Sequence, residues 1–285
     1  ADLGLVAKQE QTHEKSNASY FINYVIAQVS EKYGDDAIYK DGLKIYTTLD
    51  MDAQNAAVAA MQNLPNYYTD SNGLHQPQGA IVAMNPHNGY IMAMVGGRGD
   101  DAFNRATQAE RQPGSAMKPF VYLAAIQSGK TPGSIVDDSP VTFGNWSPKN
   151  YENDFVGNIT YRYALQHSRN VAAVKIADEV GMTKVIKLAK EMGISTLTDQ
   201  DYNLSTALGG LTHGVTPLEM VQAYGVLANG GIKVQPTAIL KIVDRNGQVV
   251  EEHSIQEKRV VDEKDAAIIT NMLESVINGG TGGNA

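Results

Sequence analysis

Pro113 and Pro119 bracket the string GSAMK, and they limit the local fold more tightly than any other feature of the chain. Proline is tolerated only in the first turn of a helix, where its missing N–H would have had no intrahelical partner. Pro119 therefore cannot lie deep inside a helix. Yet the FVYLAAIQSG that follows it has the composition of a buried helix, with Phe120, Leu123, Ala124 and Gln127 at helical spacing. Both requirements are met by a helix that begins close to Ser115 or Ala116 and ends at Gly129. Ser115 then sits at the helix start, beside unpaired N–H groups and the positive end of the dipole, with the Lys118 amine one turn on. A serine beside a base, where an oxyanion can be stabilised, is the arrangement of nucleophilic catalysis. The plain alternative is an N-cap serine and a solvated lysine. A chain of this composition holds about one Ser-x-x-Lys by chance, and this chain holds one.

Bulk properties narrow the function classes. The chain has 285 residues, room for one large domain or two small ones, and its 42% hydrophobic and 19% charged content is ordinary for a globular protein. A net charge of −8 without a Lys/Arg run argues against a nucleic-acid partner. Zero cysteines exclude disulfides, thiolate catalysis and cysteine metal sites. The six histidines show no i, i+4 pair and no HExxH, so a zinc site is not expected, and the sequence calls for no cofactor. SGKT at 128–131 resembles a P-loop end, but the glycine it needs upstream is Ala124. Arg98-Gly99-Asp100 spells an adhesion tripeptide of a length that arises by chance. No apolar run reaches the roughly 18 residues of a membrane span. The chain opens without methionine or signal peptide, as a processed or excised form would.

Along the chain, ASYFINYVIAQVSEKYG reads as a helix closed by Gly34, GLKIYTTLD as a strand, and DMDAQNAAVAAMQNL as a helix capped by Asp50 or Asp52. The polar, turn-rich residues 66–78 are the expected boundary between an N-terminal linker region, 1–77, and a main domain, 78–285. GAIVAMNPHNGYIMAMVGG reads as a hairpin, and PTAILKIVDRNGQVVEEH as a second with its turn at Asn246-Gly247. Between them a long loop is expected from Lys130 to Gly157, then helical stretches around 161–167 and 171–180; a last helix is expected over 263–277. Strands, then helices, then strands imply an α+β domain with an antiparallel sheet flanked by helices.

The stretch YRYALQHSRNVAAVKIAD places Ser168 and Asn170 two apart in a break between helical segments, where rigid neighbours present polar side chains. Either residue also suits the plain role of capping the helix that begins at Val171. Ser-x-x-Lys followed by Ser-x-Asn is, however, a motif pair of penicillin-binding proteins and serine β-lactamases. Its surroundings, QPGSAMKPFVYLAAI, WSPKNYENDFVGNITYRYALQHSRNVAAVKIA and STALGGLTHGVTPLEMVQAYGVLANGG, resemble the transpeptidase domain of class A, bifunctional penicillin-binding proteins. GLKIYTTLD and its following helix resemble the segment those proteins place after their glycosyltransferase domain.

The resemblance implies a β-lactamase/transpeptidase-like fold and a D,D-transpeptidase acting on peptidoglycan stem peptides ending in D-Ala-D-Ala, with β-lactams as covalent inhibitors. It implies that Ser115 is the nucleophile and supplies a backbone oxyanion donor, that Lys118 is its base, that Ser168 relays protons, and that Asn170 holds Lys118 and the substrate. Trp146 and Tyr151 in WSPKNYENDF are expected to line the substrate groove or to pack as buried aromatics, and Gly209 and Gly210 to serve backbone geometry there. It further implies an upstream glycosyltransferase domain and a location on the extracytoplasmic face of the membrane, with the anchor outside this chain. A hydrolase of the same fold (D,D-carboxypeptidase or β-lactamase) and a non-catalytic β-lactam-binding scaffold are the alternatives. The family's third motif, Lys-Thr-Gly, follows a segment like NGGTGGNA, where this chain stops; the domain is thus expected to be cut before it. Lys130-Thr131, followed by Pro132, does not substitute.

Overall fold

The computed structural model describes residues 17–39, 42–99 and 101–284. His13, Asp100, Ala285 and residues 1–16 lie outside them, so the Arg-Gly-Asp string and the expected chain end receive no structural account.

The N-terminal half comprises α1 (Ser19–Tyr33), α2 (Asp35–Tyr39), β1 (Lys44–Thr47), α3 (Met51–Gln62), β2 (Tyr68–Thr69), β3 (His75–Gln76), β4 (Ile81–Met84) and β5 (Ile91–Val95). Then come α4 (Arg105–Gln108), a 3-10 turn (Gly114–Met117), α5 (Lys118–Gln127), β6 (Ile135–Asp138), β7 (Gly157–Thr160) and α6 (Tyr161–Gln166). The remainder runs α7 (Asn170–Val180), α8 (Met182–Met192), two short 3-10 turns, α9 (Pro217–Ala228), β8 (Ile232–Val234), β9 (Ile239–Val243), β10 (Val249–Glu252), β11 (Glu257–Arg259) and α10 (Glu263–Gly279).

Every residue of α5 from Lys118 to Ile126 is buried, which suits a helix apolar on all faces and makes it the axis of the main core. Side chains of α6, α7, α8, α9 and α10 close around it. A second core lies on the strands: α1 buries Phe21, Val25 and Val29, one helical face, against Ile91, Met94 and Ile242. Antiparallel β4 and β5 form the expected first hairpin, whose Gly89 has φ +75° and sits where a Cβ would lie 2.1 Å from the Gln235 carbonyl oxygen. β9 and β10 form the second hairpin, and β1 pairs on the other side of β9. The sheet therefore joins a strand from before residue 78 to strands near the chain's end. Gln54 of α3, fully buried, exchanges hydrogen bonds with Met94 N–H (2.8 Å) and C=O (3.1 Å) and covers that edge of β5.

Three local features differ from the sequence-based expectations. The helix after Pro113 opens as a 3-10 turn, with Lys118 N–H bonded to Ser115 O, because Pro119 has no N–H to bond there and its ring crowds that carbonyl. The expected loop 130–157 contains β6, paired with β7 in register from Ile135↔Thr160 to Asp138↔Gly157. Helices α8 and α9, to which the pattern reading assigned no element, complete the core around α5.

Candidate active site

Ser115 is held from behind by backbone. Tyr224 of α9 donates its hydroxyl to the Ala116 carbonyl at 3.0 Å, and burial pushes that phenol up to about 12, so it stays a donor. Gly209, in the left-handed region at φ +77°, lies so close to Gly114 that a Cβ there would sit 2.3 Å from the Gly114 nitrogen. Gln112 pins the same segment with both ends of its amide, donating to Leu211 O at 2.7 Å and accepting from Leu211 N at 2.6 Å. The turn thus fits one backbone against another, which glycine alone permits.

Ser168 and Asn170 are brought to this turn by the junction of α6 and α7. Ser168 has φ +51°, a left-handed conformation uncommon outside glycine, and its hydroxyl hydrogen-bonds Ser115 Oγ at 2.9 Å. Lys118, 1% exposed, points its amine into the same junction. Its Nζ lies 2.6 Å from Ser168 O, 2.8 Å from Ser168 Oγ and 2.7 Å from Asn170 Oδ1. Burial, with the Arg169 guanidinium as a second cause, lowers its pKa to about 8. The sequence-predicted quartet Ser115, Lys118, Ser168 and Asn170 is therefore one connected cluster. Neither Ser168 nor Asn170 caps α7, the plain role that each could have filled.

The cap comes from a residue that sequence reasoning missed. Asn150, 3% exposed, accepts from Asn170 N (2.8 Å) and Val171 N (3.1 Å) through Oδ1. Its Nδ2 donates to both carboxylate oxygens of Asp138, at 2.9 and 3.1 Å, and to Asp154 O at 2.9 Å. Asp138, fully buried on β6, also binds Arg169, whose Nη2 is 2.7 Å and Nε 2.9 Å from one oxygen. Arg169 reaches on to Asp154 Oδ1 at 2.9 Å. The only sequence signal for Asn150 was its place inside a quoted motif; a residue 20 positions from the helix it caps leaves no local pattern.

The family described as penicillin binding protein transpeptidase domain matches residues 79–285. The chain belongs to that family. Penicillin-binding protein 2D of Bacillus subtilis is 37% identical over 282 residues, covering 94% of this chain and 39% of the relative. Penicillin-binding protein 1A of Aquifex aeolicus is 32% identical over 363 residues, covering 97% of this chain and 49% of the relative. This penicillin-binding transpeptidase domain thus spans less than half the length of either. The solved structure of the penicillin-binding protein PonA1 from Mycobacterium tuberculosis matches with TM-score 0.81 at 26% identity, over 93% of this chain and 71% of that one. PonA1 in complex with penicillin V matches with TM-score 0.80.

Of the other expected site residues in the transpeptidase domain, Tyr151 is 92% exposed and Trp146 36% exposed, so buried aromatic packing is excluded for Tyr151 and partial for Trp146. Both belong to the β6–β7 loop, and Tyr151 directly follows Asn150. Gly210 lies behind the Ser115 turn with its N–H bonded to Ser205 O at 3.0 Å, a backbone role like that of Gly209.

Proposed function

We propose that this domain is a serine D,D-transpeptidase in which Ser115 attacks the penultimate D-Ala carbonyl of a peptidoglycan stem peptide, and that β-lactams acylate the same serine. The observation that supports it best is the chain of contacts from Ser115 Oγ through Ser168 Oγ to Lys118 Nζ. Of the acceptors around the amine, the Ser168 carbonyl and the Asn170 amide oxygen can never donate. A neutral Lys118 therefore commits its two N–H bonds to them and turns its lone pair to the one partner with a proton to give, Ser168 Oγ. As Ser115 Oγ bonds to the carbonyl carbon, its proton passes to Ser168 while the Ser168 proton passes to Lys118. Collapse of the tetrahedral intermediate breaks the peptide bond, and the proton returns along the same line to the departing amine of the terminal D-Ala. The amine of a second stem then attacks the ester, loses its proton to Lys118, and Ser115 leaves with that proton restored.

With a pKa of about 8, roughly a tenth of Lys118 is neutral at pH 7, against roughly one in three thousand for an ordinary lysine. We further propose that the domain belongs to a larger protein with a glycosyltransferase domain, working on the extracytoplasmic face of a membrane. Relatives named penicillin-binding protein 1A support this reading. Among the described residues, no helix is long and apolar enough to cross a membrane.

Ser115→Ala in the full-length protein is expected to abolish covalent labelling by fluorescent penicillin while leaving the thermal transition in place. Label that survives in this variant would sink the assignment of the nucleophile.

A further inference from the structure

Helix α7 begins without a side-chain cap of its own: Arg169 precedes it, and its side chain bonds none of the helix N–H groups. Asn150 Oδ1 takes the N–H groups of both Asn170 and Val171, while its Nδ2 is shared between the buried Asp138 carboxylate and the Asp154 carbonyl. The preceding residue acts on the same target, since the Lys149 carbonyl accepts from Asn170 Nδ2 at 2.9 Å. Adjacent residues of the β6–β7 loop therefore grip Asn170 at its main-chain nitrogen and at its side-chain nitrogen. What remains is Asn170 Oδ1, and Lys118 takes it at 2.7 Å.

We propose that Asn150 is the positioning residue of the proton-transfer centre: from the β6–β7 loop it fixes the start of α7, and with it the amide oxygen that holds Lys118. This rests on the roles given above to Ser115, Ser168 and Lys118. Only a primary amide meets the demand at position 150, accepting from two N–H groups on one side and donating to a carboxylate on the other. An alanine leaves the helix start and a buried carboxylate short of partners. An aspartate keeps the cap but faces Asp138 with a second negative charge. The charge that acts on Lys118 is Arg169 at the α6–α7 junction, which itself pairs with Asp138 on β6 and with Asp154 and Glu152 in the loop. Changing the charge at position 150 shifts the balance of that group, and with it the protonation of the lysine.

The test is the pH dependence of the acylation rate with fluorescent penicillin, in full-length protein carrying Asn150→Asp, or Asn150→Asp together with Asp138→Asn. The single variant is expected to acylate about 10- to 100-fold more slowly, the scale set by an ångström of misplacement, and to move its pH midpoint upward. The paired variant restores one amide facing one carboxylate, and is expected to return the rate to within about threefold and the midpoint to its original place. A single variant with unchanged rate and midpoint overturns the proposal, as does a paired variant that folds poorly or stays slow. If the single variant does not fold, the paired variant decides in the same way. Label on a residue other than Ser115 in the unaltered protein would instead sink the reading of the nucleophile, an outcome that the Asn150 variants do not produce.

Discussion

Ser168 occupies the position after a helix end where the left-handed conformation is usually left to glycine. Holding a serine at φ +51° costs about 1 kcal/mol or more, and its hydroxyl, between Ser115 Oγ and Lys118 Nζ, is the visible return. Ser168→Gly is accordingly expected to leave the melting temperature unchanged or up to about 3 °C higher while slowing acylation by about 100-fold or more. A variant that lost stability instead would show that Ser168 is a structural residue. Lys118 gives a second prediction at this scale. In the proposed reaction Lys118 acts as the neutral amine, so acylation should rise with pH to a plateau, with a midpoint near 8. The linkage has a definite sign. A basic group whose folded pKa is below its unfolded value leaves the unfolded chain holding more protons between the two, so stability rises with pH from about 8 towards the ordinary lysine range. Below pH 8 the buried charge costs on the order of 3 kcal/mol. Lys118→Met removes that dependence, which stability measured against pH will show. Lys118→Arg cannot lose its proton near neutral pH and should acylate slower by orders of magnitude.

Elements place these residues by close contact, and close contact is what the sequence conveys least. The proline pair correctly demanded a helix start beside Ser115, and both hairpins were legible from their turns. The 3-10 opening was not, because it depends on how the Pro119 ring meets the Ser115 carbonyl. β6 was hidden inside TPGSIVDDSPVTFG, where two aspartates and two prolines disguise a strand. Asp138 looks like a solvent residue until Arg169 and Asn150, from later in the chain, enclose it. Gly209 carried the right general expectation without its target, the Gly114 backbone. Gly209→Ala should therefore cost about 2 kcal/mol or more, from the φ of +77° and from a methyl 2.3 Å from Gly114 N. It should also slow acylation, since Gly114 carries Ser115. A variant with normal stability would show that the two turns separate easily.

Over the whole molecule, the helical core around α5 carries the cluster, and the second core under α1 supports the strands. Because β1 hydrogen-bonds β9, α1 and the strands it covers are expected to unfold together with the transpeptidase domain. Phe21, 1% exposed on the buried face of α1, offers the check. Phe21→Ala is expected to cost about 3–5 kcal/mol and to shift a single transition, monitored by both heat uptake and loss of penicillin labelling. Two resolved transitions, with labelling lost only in the second, would mean that α1 and its strands form an independent unit.

The β6–β7 loop is closed at its base by paired strands and bolted at Asn150, yet Tyr151 beside that bolt is almost wholly in solvent. For protein engineering this makes it a replaceable cassette. Its tip, residues 142–147 and Tyr151, can be randomised in a library with little risk to folding, provided that Asn150, Glu152, Asn153 (φ +55°) and Asp154 are kept as fixed landing points for whatever sequence is inserted.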